Sequence, residues 1–90
     1  MKIFIDNNIN NLNDLLNQGL IVDINDIDDY SLEQLLSAEN LTIVAMGKEN
    51  DELVSQLVNS RPNEKKKLTM IQTHQNLNVV VDQEGASLIL

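Results

Sequence analysis

Cysteine is missing from the chain altogether, which excludes disulfides, thiolate metal sites and cysteine nucleophiles and leaves the redox compartment open. Aromatic residues are nearly missing too: Phe4 and Tyr30 are the two present. The core must therefore be aliphatic. Pro62 is the single proline, and the glycines are Gly19, Gly47 and Gly85. No apolar run approaches the ~20 residues that a membrane-spanning helix needs. The opening Met1-Lys2-Ile3-Phe4-Ile5-Asp6 turns polar too soon for a signal peptide. A cytoplasmic, soluble protein is the expectation.

Basic side chains are scarce. Six lysines and arginines face fourteen acids, giving a formal charge of −8. The imbalance is uneven: residues 1–60 carry eleven acidic and two basic side chains, and residues 61–90 carry three acidic and four basic. Such a surface repels phosphates, so direct contact with nucleic acid is disfavoured. It attracts and steers a basic partner. The ninety residues read as one domain, 1–90, with 42% hydrophobic content. A chain of this length buries roughly 60–65% of the surface exposed when unfolded, enough for one modest core.

The least polar stretch is Leu41-Thr42-Ile43-Val44-Ala45-Met46, rich in β-branched residues and closed by Gly47. It reads as a central, buried strand. Before it, Lys2–Ile5 reads as a first strand. Asp6-Asn7-Asn8 then offers caps for a helix whose apolar face is Ile9, Leu12, Leu15 and Leu16, stopped by Gly19. Leu20–Ile24 reads as a second strand, followed by an acidic loop. Ser31 and Gln34 form the S-x-x-Q pattern of a capping box, with Tyr30 set to staple onto Leu35.

After the central strand, Asn50 or Asp51 opens a helix with apolar positions Leu53, Val54, Leu57 and Val58, ended by Pro62. Arg61 suits the negative end of its dipole. Asn63-Glu64-Lys65-Lys66-Lys67 reads as a solvated connection and Leu68–Thr73 as a fourth strand. Leu77–Val81 and Ala86–Leu90 flank Asp82-Gln83-Glu84-Gly85, which reads as a hairpin connection. The expected fold is thus α/β: a small, largely parallel sheet in the order β-α-β-α-β-α-β with a C-terminal antiparallel β-hairpin, and a strand order of 2-1-3-4-5-6.

In an open parallel sheet, ligands bind beyond the carboxyl ends of the strands. On this reading the rim would hold Asp6, Asn25-Asp26, Gly47-Lys48 and Thr73-His74-Gln75. Magnesium between Asp6 and Asp26, with His74 as a general base or pH switch, is one functional alternative. A phosphate loop at Gly47-Lys48 fails on charge, because Glu49, Asp51 and Glu52 crowd the following helix start. The seven residues Lys2-Ile3-Phe4-Ile5-Asp6-Asn7-Asn8 resemble the opening of response-regulator receiver domains and of PIN-type nucleases, which place acids after an apolar first strand. That resemblance implies a role for Asp6 alone. A receiver needs an aspartate ending its third strand, where this chain has Met46-Gly47-Lys48.

The most unusual feature is the acidic stretch Asp23 to Asp29 with Glu33 beyond it. It lacks the glycine of an EF-hand calcium loop. As a partner-binding patch, Asp23, Asp26, Asp28, Asp29, Tyr30 and Glu33 would engage arginines on a larger protein with a basic surface. The expectation is therefore a non-enzymatic interaction module, such as an inhibitor, immunity protein or regulatory or assembly subunit. It is expected to need no cofactor and to hold no catalytic residue or resident metal. A second alternative is self-assembly as a homodimer, through the edge of the expected hairpin.

Overall fold

The computed structural model describes residues 1–5 and 19–90. Four strands form one sheet: β1 (Lys2–Ile5), β2 (Leu20–Asp23), β3 (Leu41–Ala45) and β4 (Leu77–Val81). Their order is β1-β4-β3-β2, and every neighbouring pair is parallel. Three α-helices are described: α1 (Leu32–Ser37), α2 (Asp51–Asn59) and α3 (Lys67–Met70). Turns of 3-10 helix occupy Ile24–Asp29, Lys48–Asn50 and Ile71–Thr73. The helix expected between Asp6 and Gly19 lies outside the described residues. Gly19 itself has φ +79°, the left-handed region that favours glycine.

The register sets the core. Ile3 lies opposite Val79, Val79 opposite Ile43, and Ile43 opposite Val22, so one row crosses the whole sheet. Leu41, Ala45, Leu77 and Val81 share that face, because side chains alternate along each strand. Leu35 of α1, Val54 and Leu57 of α2, and Ile24, Ile27, Ile71 and Ala86 join them in a single buried cluster. Each leucine, isoleucine or valine of the cluster contributes about 1.5–3 kcal/mol when fully buried. On the opposite face Thr42 and Val80 are also fully buried.

Three expectations are corrected. Leu68–Thr73 is not a strand: it lies in α3 and the 3-10 turn that follows. Leu68 and Ile71 are three residues apart, which places both toward the core in a helical segment. Ala86–Leu90 is not a strand either, so there is no antiparallel hairpin among the described residues. The reason is topological. β4 pairs with β1 on one side and β3 on the other, leaving no edge for a hairpin partner. The Ala86 N–H donates instead to the Asp82 carbonyl, and the Leu90 N–H to the Ala86 carbonyl, winding the segment into successive turns. Finally, the strand order differs from 2-1-3-4-5-6. β4 carries Val79, Val80 and Val81, all fully buried, and is central. β1 carries Lys2 and the exposed Ile3 and Ile5, and is an edge.

Candidate functional site

The acidic stretch is ordered from its first residue. Asp23 ends β2, and its Oδ1 accepts from the Asn25 backbone N–H at 2.9 Å and from Asn25 Nδ2 at 3.0 Å. That cap starts the 3-10 turn Ile24–Asp29. Side chains three apart eclipse in such a turn, so Ile24 and Ile27 enter the core together. Asn25, Asp26, Asp28 and Asp29 are left on the outside, all exposed. Tyr30 is half-buried against the core, which limits what it offers to a partner's arginine. The capping box at α1 is present: the Ser31 hydroxyl accepts the Gln34 N–H at 3.0 Å, and Gln34 Oε1 accepts the Ser31 N–H at 2.8 Å. Glu33 stands exposed in the first turn of α1.

Of the six residues singled out from sequence, Asp26, Asp28, Asp29 and Glu33 are therefore exposed, an acidic ridge along eight residues of chain. Asp23, itself exposed, serves as a cap, and Tyr30 as an anchor. Lys67 approaches from another part of the chain. Its Nζ donates to the Tyr30 carbonyl at 2.5 Å and lies 4.0 Å from Asp28 Oδ1. The Asp28 side chain is 98% exposed, so this pair contributes under about 1 kcal/mol and leaves the ridge's charge facing water.

The carboxyl ends of β3 and β4 are tied by Asp82. The Gly47 N–H donates to Asp82 Oδ1 at 3.0 Å and Oδ2 at 3.2 Å, and the Gly85 N–H donates to Oδ1 at 2.7 Å. Gly47 has φ +87°, and a Cβ on Gly85 would meet the Ala45 carbonyl at 2.6 Å. Asn50 precedes α2, yet its side chain makes no helix-capping bond; Nδ2 donates to the Met46 carbonyl at 2.7 Å. The Gly47 and Gly85 amides are thus engaged with the chain's own carboxylate and are not open to a phosphate.

His74 does not share that rim. It precedes β4 and so lies at the amino end of the sheet, opposite to Asp26. It is 8% exposed, with Nε2 bonded to the Ala38 carbonyl at 2.5 Å and Nδ1 accepting the Asn76 N–H at 2.9 Å. Both ring nitrogens are thereby used in structural bonds. Asp6 lies outside the described residues. Among the described residues, no group of three or more histidine, aspartate and glutamate side chains is placed to hold a metal ion.

Beside the ridge is a cleft of about 380 Å³. Ile24, Ile27, Leu53 and Leu68 supply its apolar lining, and its charged lining is Lys65, Lys66, Lys67 and Asp28. From sequence those lysines read as part of a solvated connection. The one available signal was their density: three of the chain's six basic side chains are consecutive. No protein-family model matches the chain, and no curated protein matches it. No helix among the described residues is long and apolar enough to cross a membrane.

Proposed function

We propose that the chain is a small acidic interaction domain, without catalysis of its own, that docks through Asp26, Asp28, Asp29 and Glu33 onto a basic surface of a larger protein. The observation that carries this reading is the anchoring of the ridge. Ile24 and Ile27 are 4% and 5% exposed, so Asp26 between them and Asp28 and Asp29 directly after them project from a turn anchored in the core. Preordered charges lose little entropy on meeting an arginine-rich surface, and their field speeds encounter. An inhibitor, an immunity protein and a regulatory or assembly subunit all fit this mode of action, and a cytoplasmic setting is compatible with it.

The test is capture at two salt concentrations with two forms of the chain. The wild type should retain a basic protein at low salt and release it at high salt, as screened ionic contacts require. The pair should then run as a defined complex by light scattering. The triple variant Asp26→Lys, Asp29→Lys, Glu33→Lys should retain none of that protein while melting like the wild type. Equal capture by both forms, or a stable homodimer that captures nothing, would reject the reading.

A further inference from the structure

Three adjacent lysines repel one another, and in an ordinary solvated turn they spread into water. Here the turn is built. Asn63 and Lys66 pair across it as an isolated antiparallel bridge, with the Lys66 N–H donating to the Asn63 carbonyl at 2.8 Å. Asn63 Oδ1 accepts the Lys65 N–H at 3.0 Å. Beneath it sits Thr69, 2% exposed. Its hydroxyl accepts the Asn63 N–H at 2.9 Å and lies 2.9 Å from the Lys66 carbonyl. Lys67 then bridges to the Tyr30 carbonyl. The lysine turn is therefore fixed on both sides, to α3 and to the acidic 3-10 turn.

Its charge is also unbalanced. Among the described residues Lys67–Asp28 is the one ion pair, so Lys65 and Lys66 have no carboxylate partner there. Both are exposed and both border the cleft. The cleft adjoins Ile24 and Asn25, which follow directly on the carboxyl end of β2. That is the side of a parallel sheet where ligands bind.

We propose that this cleft binds a small organic anion: its acidic head group between Lys65 and Lys66, its apolar body on Ile24, Ile27, Leu53 and Leu68. Each part of the wall selects for one part of such a ligand. An inorganic anion gains nothing from the apolar lining. A neutral apolar molecule leaves two hydrated ammonium groups unmatched. A nucleic acid strand meets a chain of charge −8 with too few lysines to hold it. One carboxylate, Asp28, also lines the cleft, but Lys67 Nζ lies 4.0 Å from it and balances it, which leaves Lys65 and Lys66 as the cleft's net charge. A volume of about 380 Å³ lies at the lower end of the range for small-ligand sites.

The experiment is a titration of the ¹⁵N-labelled chain, followed by amide resonances, with octanoate, octanol and inorganic phosphate as probes. Octanoate should shift amides of residues 24–28, 53–56 and 65–68 saturably, with a Kd at or below about 1 mM. Octanol and phosphate should each bind at least about tenfold more weakly. The variant Lys65→Gln, Lys66→Gln changes two exposed side chains. It should lose about fivefold or more in octanoate affinity, as two partly screened charge contacts imply, with the octanol response unchanged. Equal responses to octanoate and octanol, shifts centred on the exposed Leu88 and Leu90, no saturable shift, or an unaffected lysine variant would each overturn the proposal. The docking reading is tested on Asp26, Asp29 and Glu33, which do not line the cleft, so either idea can fail alone.

Discussion

The Gln72 side-chain amide closes the C-terminus of α2 by donating to the Ser60 carbonyl at 2.7 Å and the Leu57 carbonyl at 2.5 Å. The last turn of α2 contains no basic residue, and Arg61 beyond it is exposed. A side chain twelve residues away in sequence thus satisfies carbonyls that a helix end leaves open. Gln72→Ala should destabilise the fold by about 1–2 kcal/mol, measured as a shift in the urea midpoint at constant slope. Gln72→Glu should be worse, because it sets a carboxylate against carbonyls at the negative end of the helix dipole. Arg61→Ala should change stability by less than about 0.5 kcal/mol.

Thr42 lies fully buried on β3, and its hydroxyl has no hydrogen-bond partner among the described residues. A buried, unpaired hydroxyl is a net loss against a methyl group of similar shape. Thr42→Val should therefore raise stability by about 1 kcal/mol in denaturant unfolding. A decrease would mean that the hydroxyl is satisfied in solution.

Asp82 holds the loop after β3 to the loop after β4 through the Gly47 and Gly85 amides. Hydrogen bonds to a charged acceptor contribute more than neutral ones. Asp82→Ala should cost about 2 kcal/mol or more, and Asp82→Asn, which keeps one acceptor oxygen, should fall between it and the wild type. Faster amide exchange at Gly47 and Gly85 in the alanine variant would locate the loss.

The bond from the Asn76 N–H to His74 Nδ1 fixes the ring tautomer. With Nδ1 accepting, the ring proton sits on Nε2 and is donated to the Ala38 carbonyl. Long-range ¹H–¹⁵N correlation at neutral pH should show the Nε2–H tautomer. His74→Ala should cost about 2 kcal/mol, since it orphans both partners and empties a buried site.

What was legible in the sequence was what local pattern dictates. The capping box at Ser31, the apolar stripe Leu53, Val54, Leu57 and Val58, and the strands at Lys2–Ile5 and Leu77–Val81 stand where the local pattern puts them, and the run Leu41–Met46 is a strand up to Ala45. The six residues Leu68–Thr73 were too few for periodicity to separate strand from helix. Their fate is set by partners outside the segment: Gln72 bonds to the end of α2, and Thr69 to the Asn63 turn. Gly85 signalled a turn, but its amide goes to the Asp82 side chain, which also holds Gly47. That three-way contact spans more than thirty residues, and no local window contains it. For the site, composition exposed the acids of residues 23–33. It did not show that Ile24 and Ile27 pin them, or that Lys67 lies beside Asp28.

Titration of the ¹⁵N-labelled chain with a hexa-arginine peptide shows whether Asp26, Asp28, Asp29 and Glu33 form the proposed docking face. Amide shifts should concentrate at residues 25–33 and vanish at about 1 M salt, where charges are screened within about 3 Å. Shifts centred instead on Glu49, Asp51 and Glu52 at the start of α2, or spread evenly over the acidic surface, would contradict it.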